Sequence, residues 1–408
     1  MKSYNRDFRR YVILNLINAQ GPISRTQLTE ITGFRPATVG EVAKALIEEG
    51  LVAETGFASS RTGRRREMLD LNRKNICAVG IAISQMQASA VLVRFDGTIV
   101  REEVCRAETG SSQAELAELI AETTEKLLER AKDMHVAGIG IGDPPYDPTG
   151  YQKGVSISTN YGHFNDWTHL ILKPALEKRF SLPVGNLSAV TLPALVERQY
   201  GIAKGSDNFI CVELSNGVGA SIFMEGNAIS GANGCAGELG HTVVDLNAQS
   251  RCYCGKTGCV EIGASFPEIV RDLHAAIERG AASMLDPWNI TVDSLREALE
   301  AGDALSMDYV DRAAEQAGCA IANAVNLLNP EIVVLYGFML ELGSYYLDRL
   351  QEAIRSRIME LNRTCRICTA PALESKIPIG AAAEMFTRFL RRDKYEWVYS
   401  MLGEGDST

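Results

Sequence analysis

Phe8, Val12, Ile13, Leu16 and Ile17 recur at three- and four-residue steps, so the opening stretch carries one apolar stripe on an otherwise polar surface. That spacing predicts a helix, and Gly21-Pro22 ends it. Ser24 then stands where an N-cap belongs, ahead of Leu28 and Ile31, and predicts a short second helix closing at Gly33. Pro36 suits the first turn of a third helix, which faces Val39, Val42, Ala43, Leu46 and Ile47 inward until Gly50. Two strand-like runs follow, residues 51–54 and 67–71, separated by the loop SSRTGRRR. Helices joined by a tight glycine turn and followed by a hairpin predict a winged helix-turn-helix over residues 1–74.

From about residue 76 the period changes. Residues 76–83, 88–95 and 98–105 are β-rich, with Asp96-Gly97 as a tight turn, and predict three antiparallel strands. A helix is expected over 113–131 and a buried strand over 136–142. The runs 209–214 and 219–224 read as two more strands. Further on, the pattern predicts a helix over 314–328, a break at Asn329-Pro330, a strand over 332–336 and a long helix to about Leu361. This is an α/β body of two similar lobes, divided as 75–184 plus about 376–395 for the first and 185–375 for the second, with a ligand expected in the cleft between them.

Length and composition agree with several cores. A chain of 408 residues exceeds one ordinary domain, and its 46% hydrophobic and 23% charged residues exclude a disordered or fibrous protein. No stretch approaches the roughly 18 apolar residues of a membrane span, and the start lacks an export signal, so a cytoplasmic protein with no membrane partner is expected. Charge divides the chain more sharply. Residues 1–75 hold 13 basic and 8 acidic side chains, whereas the remainder holds 28 and 43. Only the front segment attracts a polyanion; the rest repels one.

Double-stranded operator DNA is therefore the expected partner of the front segment. The third helix presents Arg35, Thr38 and Lys44, with Ala37 and Glu41, to the major groove, while Arg61, Arg64, Arg65 and Arg66 of the wing reach phosphates or a minor groove.

The second chemical signal is GELGHTVVDLNAQSRCYCGKTGCVE. It places His241, Cys252, Cys254 and Cys259 within nineteen residues. Three thiolates and an imidazole satisfy tetrahedral Zn²⁺, and a closed set of four protein ligands leaves no position for an activated water, so a structural zinc is expected. The other cysteines mostly lie in apolar runs and read as small core residues.

The winged helix, then Gly237-Glu238-Leu239-Gly240-His241, then CYCGKTGCVE, resemble the ROK family of sugar-responsive repressors and bacterial sugar kinases, whose regulators include those responding to N-acetylglucosamine, glucose and xylose. The resemblance extends to Asn329-Pro330 and to Gly380-Ala381-Ala382, and implies an actin-like, RNase H-type body of two lobes. It also implies that Glu238, His241 and Glu261 bind sugar hydroxyls, with Asn186 adding to the polar floor. Asn160 and His163 are further candidates beside it.

The positions that distinguish the kinases are altered. Where kinases of the family have Asp-x-Gly-Gly-Thr, this chain reads GIAISQMQASA, with Ile81 near the aspartate and Ser84-Gln85 in place of the glycines. Where they have an Asn-Asp pair supplying the catalytic base, it has Asn186-Leu187, and leucine accepts no proton. Asn216-Gly217-Val218-Gly219 and Tyr336-Gly337-Phe338 depart from the remaining phosphate-binding turns. The expected function is a sugar-responsive transcriptional regulator without kinase activity, a homodimer or homotetramer that a sugar or sugar phosphate releases from DNA. An ATP-dependent sugar kinase, or a regulator controlled by a protein partner, are the rivals.

Overall fold

Residues 2–58, 66–84, 87–108, 111–143, 171–188, 191–232, 235–371 and 376–403 are described by a computed structural model. They form two compact units.

In the first unit, helix α1 (Lys2–Gln20) ends before Gly21 as its stripe does. Helix α2 (Arg25–Thr32) is closed at its start by a capping box: the Ser24 hydroxyl accepts from the Gln27 N–H, and the Gln27 side chain accepts from the Ser24 N–H. Gly33 in the left-handed conformation ends it, and Pro36 starts helix α3 (Pro36–Glu48). Strand β1 (Ile23–Ser24), too short to leave a periodic signal, pairs with β3 (Arg66–Leu71), which also pairs antiparallel with β2 (Val52–Ala58). Ile13, Ile17, Leu28, Val39, Leu46 and Leu69 are wholly buried between these elements.

Behind this module lies a sheet of five strands in the order β6-β5-β4-β7-β8. Strands β4 (Ile76–Ser84), β5 (Gln87–Arg94) and β6 (Ile99–Arg106) are antiparallel, while β7 (His135–Asp143) and β8 (Val184–Ser188) run parallel to β4. Helix α4 (Gln113–Leu128) passes into a 3-10 turn at Glu129, so the helix expected to Ala131 loosens three residues early. Helix α5 (Lys173–Phe180) precedes β8. The last helix, Ile377–Gly403, lies directly on β4 and β7. A Cβ at Gly80 would fall 1.8 Å from the Pro378 carbonyl oxygen, and one at Gly140 1.9 Å from that of Ala381, so only glycine permits this approach. Phe386 and Met385 of that helix share one buried cluster with Ile13 and Ile17 of α1 and Val91 and Val93 of β5. The front module and the first sheet therefore have a common core.

The second unit repeats the strand plan. Its sheet runs β11-β10-β9-β12-β13, with β9 (Phe209–Leu214), β10 (Val218–Met224) and β11 (Asn227–Ala228) antiparallel, and β12 (Ile332–Tyr336) and β13 (Arg366–Thr369) parallel to β9. Helix α6 (Thr191–Tyr200) leads in. Helices α7 (Val260–Ala264), α8 (Phe266–Glu278), α9 (Val292–Glu300), α10 (Ala304–Leu328) and α11 (Ser344–Arg357) complete it.

Three expectations are corrected. Helix α10 begins at Ala304, ten residues before the predicted start, because Asp303 caps it by accepting from the Ser306 N–H. The long helix expected after β12 is divided: a 3-10 turn over Phe338–Leu342 ends at Gly343, and α11 stops at Arg357. Residues 185–188, assigned from sequence to the second lobe, belong to β8 and complete the first unit's sheet.

Candidate functional site

On α3 the apolar stripe turns Val39, Ala43 and Leu46 inward, leaving Arg35, Ala37, Glu41 and Lys44 exposed and Thr38 half-buried. Arg35 is the residue before the first turn and makes no side-chain cap. Lys44 lies 3.7 Å from Glu48, an exposed pair that holds neither side chain firmly. Arg66 opens β3 and is exposed, whereas Arg61, Arg64 and Arg65 lie outside the described residues. Two other cations of the module are engaged within it. Arg25 bridges Glu54 at 2.7 Å and Glu67 at 2.9 Å, and Arg10 holds Glu49 at 2.5 Å. These pairings join residues 29 to 42 positions apart, and no local sequence signal gives them.

The second unit gathers the cysteine loop. His241 ends a 3-10 turn at Leu239–His241, and the chain returns through bridges of Val243 with Cys259 and Arg251 with Thr257. The Cys252 N–H donates to Lys256 O at 2.8 Å, and the Gly255 N–H to Cys252 O at 2.9 Å, which wraps CYCGK into a tight turn. Gly258 has φ +78°, and a Cβ there would lie 2.0 Å from Asp245 O. The loop cannot close on any other residue.

One ligand atom each from His241, Cys252, Cys254 and Cys259 falls within 4.8 Å of all the others. His241 Nδ1 is 3.6 Å from Cys252 Sγ, and the sulfurs of Cys254 and Cys259 are 3.6 Å apart. Zn–S bonds of about 2.3 Å in a tetrahedron separate sulfurs by distances of this order, so the donor set fits a metal ion. Burial lowers the His241 pKa, against the field of Glu238, and so favours the neutral, ligating imidazole. Burial raises the Cys252 and Cys259 thiols, while hydrogen bonds from the Lys256 N–H and neighbouring thiols outweigh burial at Cys254 and lower it. Three packed thiols resist joint ionisation; a dication removes that obstacle.

The same imidazole turns Nε2 toward Glu238, whose Oε2 is 3.9 Å away, and its ring meets the edge of Tyr253 at 4.9 Å. Glu261, in the first turn of α7, is 7% exposed and accepts the Val218 N–H at 2.8 Å. Burial pushes its carboxyl up to about 7, partly offset by that hydrogen bond, with Glu268, Glu213 and Glu238 adding to the rise. Val218 lies in the turn region that the sequence singled out as an altered phosphate loop. Here it positions a carboxyl group instead. Asn186 sits on β8 of the first unit, with its carbonyl 3.5 Å from Arg388 Nη2. Asn160 and His163 lie outside the described residues. Of the remaining cysteines, Cys77, Cys211 and Cys365 are buried as expected, but Cys235 is exposed. Among the described residues no helix is long and apolar enough to cross a membrane.

A family model described as the ROK family matches residues 78–387. The xylose repressor of Caldicellulosiruptor bescii is 27% identical over 358 residues, covering 86% of this chain and 88% of the relative. The N-acetylglucosamine repressor of Shigella flexneri is 26% identical over 377 residues, covering 91% and 90%. Among solved structures, a ROK family transcriptional regulator described as a homolog of the Escherichia coli MLC protein covers 98% of each chain, with TM-score 0.77 and 24% identity. A ROK hexokinase from Thermus thermophilus covers 75% of this chain and 97% of its own, with TM-score 0.63 and 23% identity.

Proposed function

The chain belongs to the ROK family, and from that premise we propose that it is a sugar-responsive, DNA-binding transcriptional repressor of carbohydrate transport or catabolism genes, without kinase activity. One observation carries the reading. The curated relatives matched over about nine-tenths of both chains are named xylose repressor and N-acetylglucosamine repressor, so the similarity is not confined to the body shared with kinases. The front module, which precedes the family-matched region, then acts as a winged helix-turn-helix. Helix α3 enters the major groove with Arg35, Thr38 and Lys44, and Arg61, Arg64, Arg65 and Arg66 hold the phosphates.

In this reading His241, Cys252, Cys254 and Cys259 hold a structural Zn²⁺, which fixes the imidazole that Glu238 faces. Glu238, His241 and Glu261 of the second unit supply acceptors and donors for the hydroxyls of a sugar or sugar phosphate. The ligand prefers the conformation that grips DNA weakly, and by linkage DNA weakens the ligand by the same factor. The working form is a cytoplasmic homodimer or homotetramer, as paired half-sites require.

Selection of bound sequences from random duplexes, followed by release with a panel of hexoses, pentoses and their phosphates, tests the proposal. Sequence-specific binding that one sugar class weakens is the expected result. Binding that no sugar alters points to a protein effector. ATP turnover with any sugar of the panel restores the kinase reading.

A further inference from the structure

The exposed face of α3 carries a charge of the wrong sign for a polyanion. Ala37, the adjacent Gly40 and Glu41, and Lys44, each three or four residues from the next turn's members, lie opposite the buried stripe of Val39, Ala43 and Leu46. Glu41 is exposed, and among the described residues no lysine or arginine pairs with it. Of the other acidic residues of the module, Glu49 pairs with Arg10, Glu54 and Glu67 share Arg25, and Glu48 lies loosely beside Lys44, while the exposed Glu30 of α2, like Glu41, has no ion pair among the described residues. What sets Glu41 apart is its place on the outer face of α3, and a carboxylate pressed from there toward phosphates is repelled unless it meets a hydrogen-bond donor.

Gly40 beside it is the second observation. Glycine inside a helix is less favourable than alanine, and a Cβ at Gly40 would meet nothing within 4 Å. The fold therefore has no internal need for glycine there. What the missing side chain permits is the close approach of something outside the chain.

We propose that Glu41 is a specificity residue that reads cytosine in the major groove, with Gly40 letting α3 seat deeply enough for the contact. The inference rests on the DNA-binding reading above and narrows it. Guanine offers only acceptors in the major groove, and thymine an acceptor and a methyl group, so a carboxylate is unwelcome at either. Adenine sets its N6 amino donor beside the N7 acceptor, which repels the second carboxylate oxygen. Cytosine presents its N4 amino group with no adjacent acceptor on the same base. A carboxylate at this position thus selects C·G and penalises the other three pairs.

The test is selection from random duplexes with the full-length protein and its Glu41→Gln, Glu41→Ala and Gly40→Ala variants. Each variant is checked for unchanged folding by circular dichroism. The wild-type consensus is expected to hold one strongly preferred cytosine in each half-site. Glu41→Gln should lose about tenfold or more of that preference and move it toward adenine, whose N6 and N7 suit an amide. Glu41→Ala should bind random duplex more tightly, because repulsion is gone, while discriminating less. Gly40→Ala should melt at a higher temperature yet bind the selected site more weakly. A consensus that survives Glu41→Gln unchanged overturns this assignment alone, whereas a wild-type protein that recovers no duplex overturns the DNA-binding reading and the assignment with it.

Discussion

Asn15 on α1 donates its Nδ2 to the backbone carbonyl of Leu390 at 2.9 Å, across 375 positions of sequence. The same amide donates to Tyr11 O, so it fastens the first helix of the chain to the last. Around this bond, Ile13 and Ile17 share their buried cluster with Met385 and Phe386, and the Phe95 and Phe386 rings lie 4.9 Å apart. The front module is therefore stabilised from the far end of the chain.

Replacing Phe386 with alanine should cost about 3–5 kcal/mol, the usual loss for a large buried aromatic. Asn15→Ala should cost about 1 kcal/mol. Thermal unfolding followed at a probe in α3 and another in β4 should show both lowered together in Phe386→Ala. A front module that melts independently of β4 contradicts the common core.

Metal analysis of the purified protein should find zinc at one ion per chain. Cys252→Ser, which replaces a buried ligand, should abolish it and lower the melting temperature of the second unit; a strong chelator should do the same to the wild type. Gly258→Ala should also lose the metal without touching a ligand, because its Cβ has no space against Asp245 O. Protein that is metal-free yet equally stable would end the zinc assignment.

Alanine at Arg64, Arg65 and Arg66 should weaken binding to all duplexes alike. Each arginine–phosphate pairing removed should reduce the slope of log affinity against log salt by about 0.9. Arg66→Ala alone tests the described part of the wing. An unaltered slope in the triple variant removes the wing from the interface.

The protein should not turn over ATP with any hexose or pentose, and Leu187→Asp should not create turnover. A restored carboxylate supplies a base, but Ser84-Gln85 still stand where kinases of the family have glycines to cradle phosphate. A coupled nucleotide assay decides this. Measurable turnover in Leu187→Asp would mean that the base alone separates this chain from a kinase.

Asp303 gives the stability of α10 a pH dependence. Burial raises its carboxyl, but the Ser306 hydroxyl and N–H, the Ser283 hydroxyl and the Met284 N–H outweigh burial and hold it below its ordinary 3.8. A folded pKa below the unfolded one stabilises fully above the unfolded value and is lost as pH falls through the folded one. Asp303→Ala should therefore cost about 1 kcal/mol at neutral pH, as cap removal does. The difference from wild type should shrink below about pH 4. Equal penalties at pH 7 and pH 3 in denaturant titrations would assign the loss to packing instead.

Much of this protein was legible in its residues because the relevant physics is local. The stripe from Phe8 to Ile17, the Ser24 cap, the Pro36 start and the Asp96-Gly97 turn set elements within a few residues, and the structure has them there. The spacing of His241, Cys252, Cys254 and Cys259 foretold their convergence, since a nineteen-residue loop with glycines at its tight turns has few ways to close. Tertiary structure decided what depends on residues distant in sequence. Strand β1 exists only because β3 offers it a partner, and β8 joined the first sheet because β7 was there to receive it. That Arg10 and Arg25 are engaged within the module was settled by carboxylates 29 to 42 positions away. The union of α1 with the last helix brings both ends of the chain into one core, and no periodicity along the sequence encodes it, because a buried stripe records that it is covered and not by what.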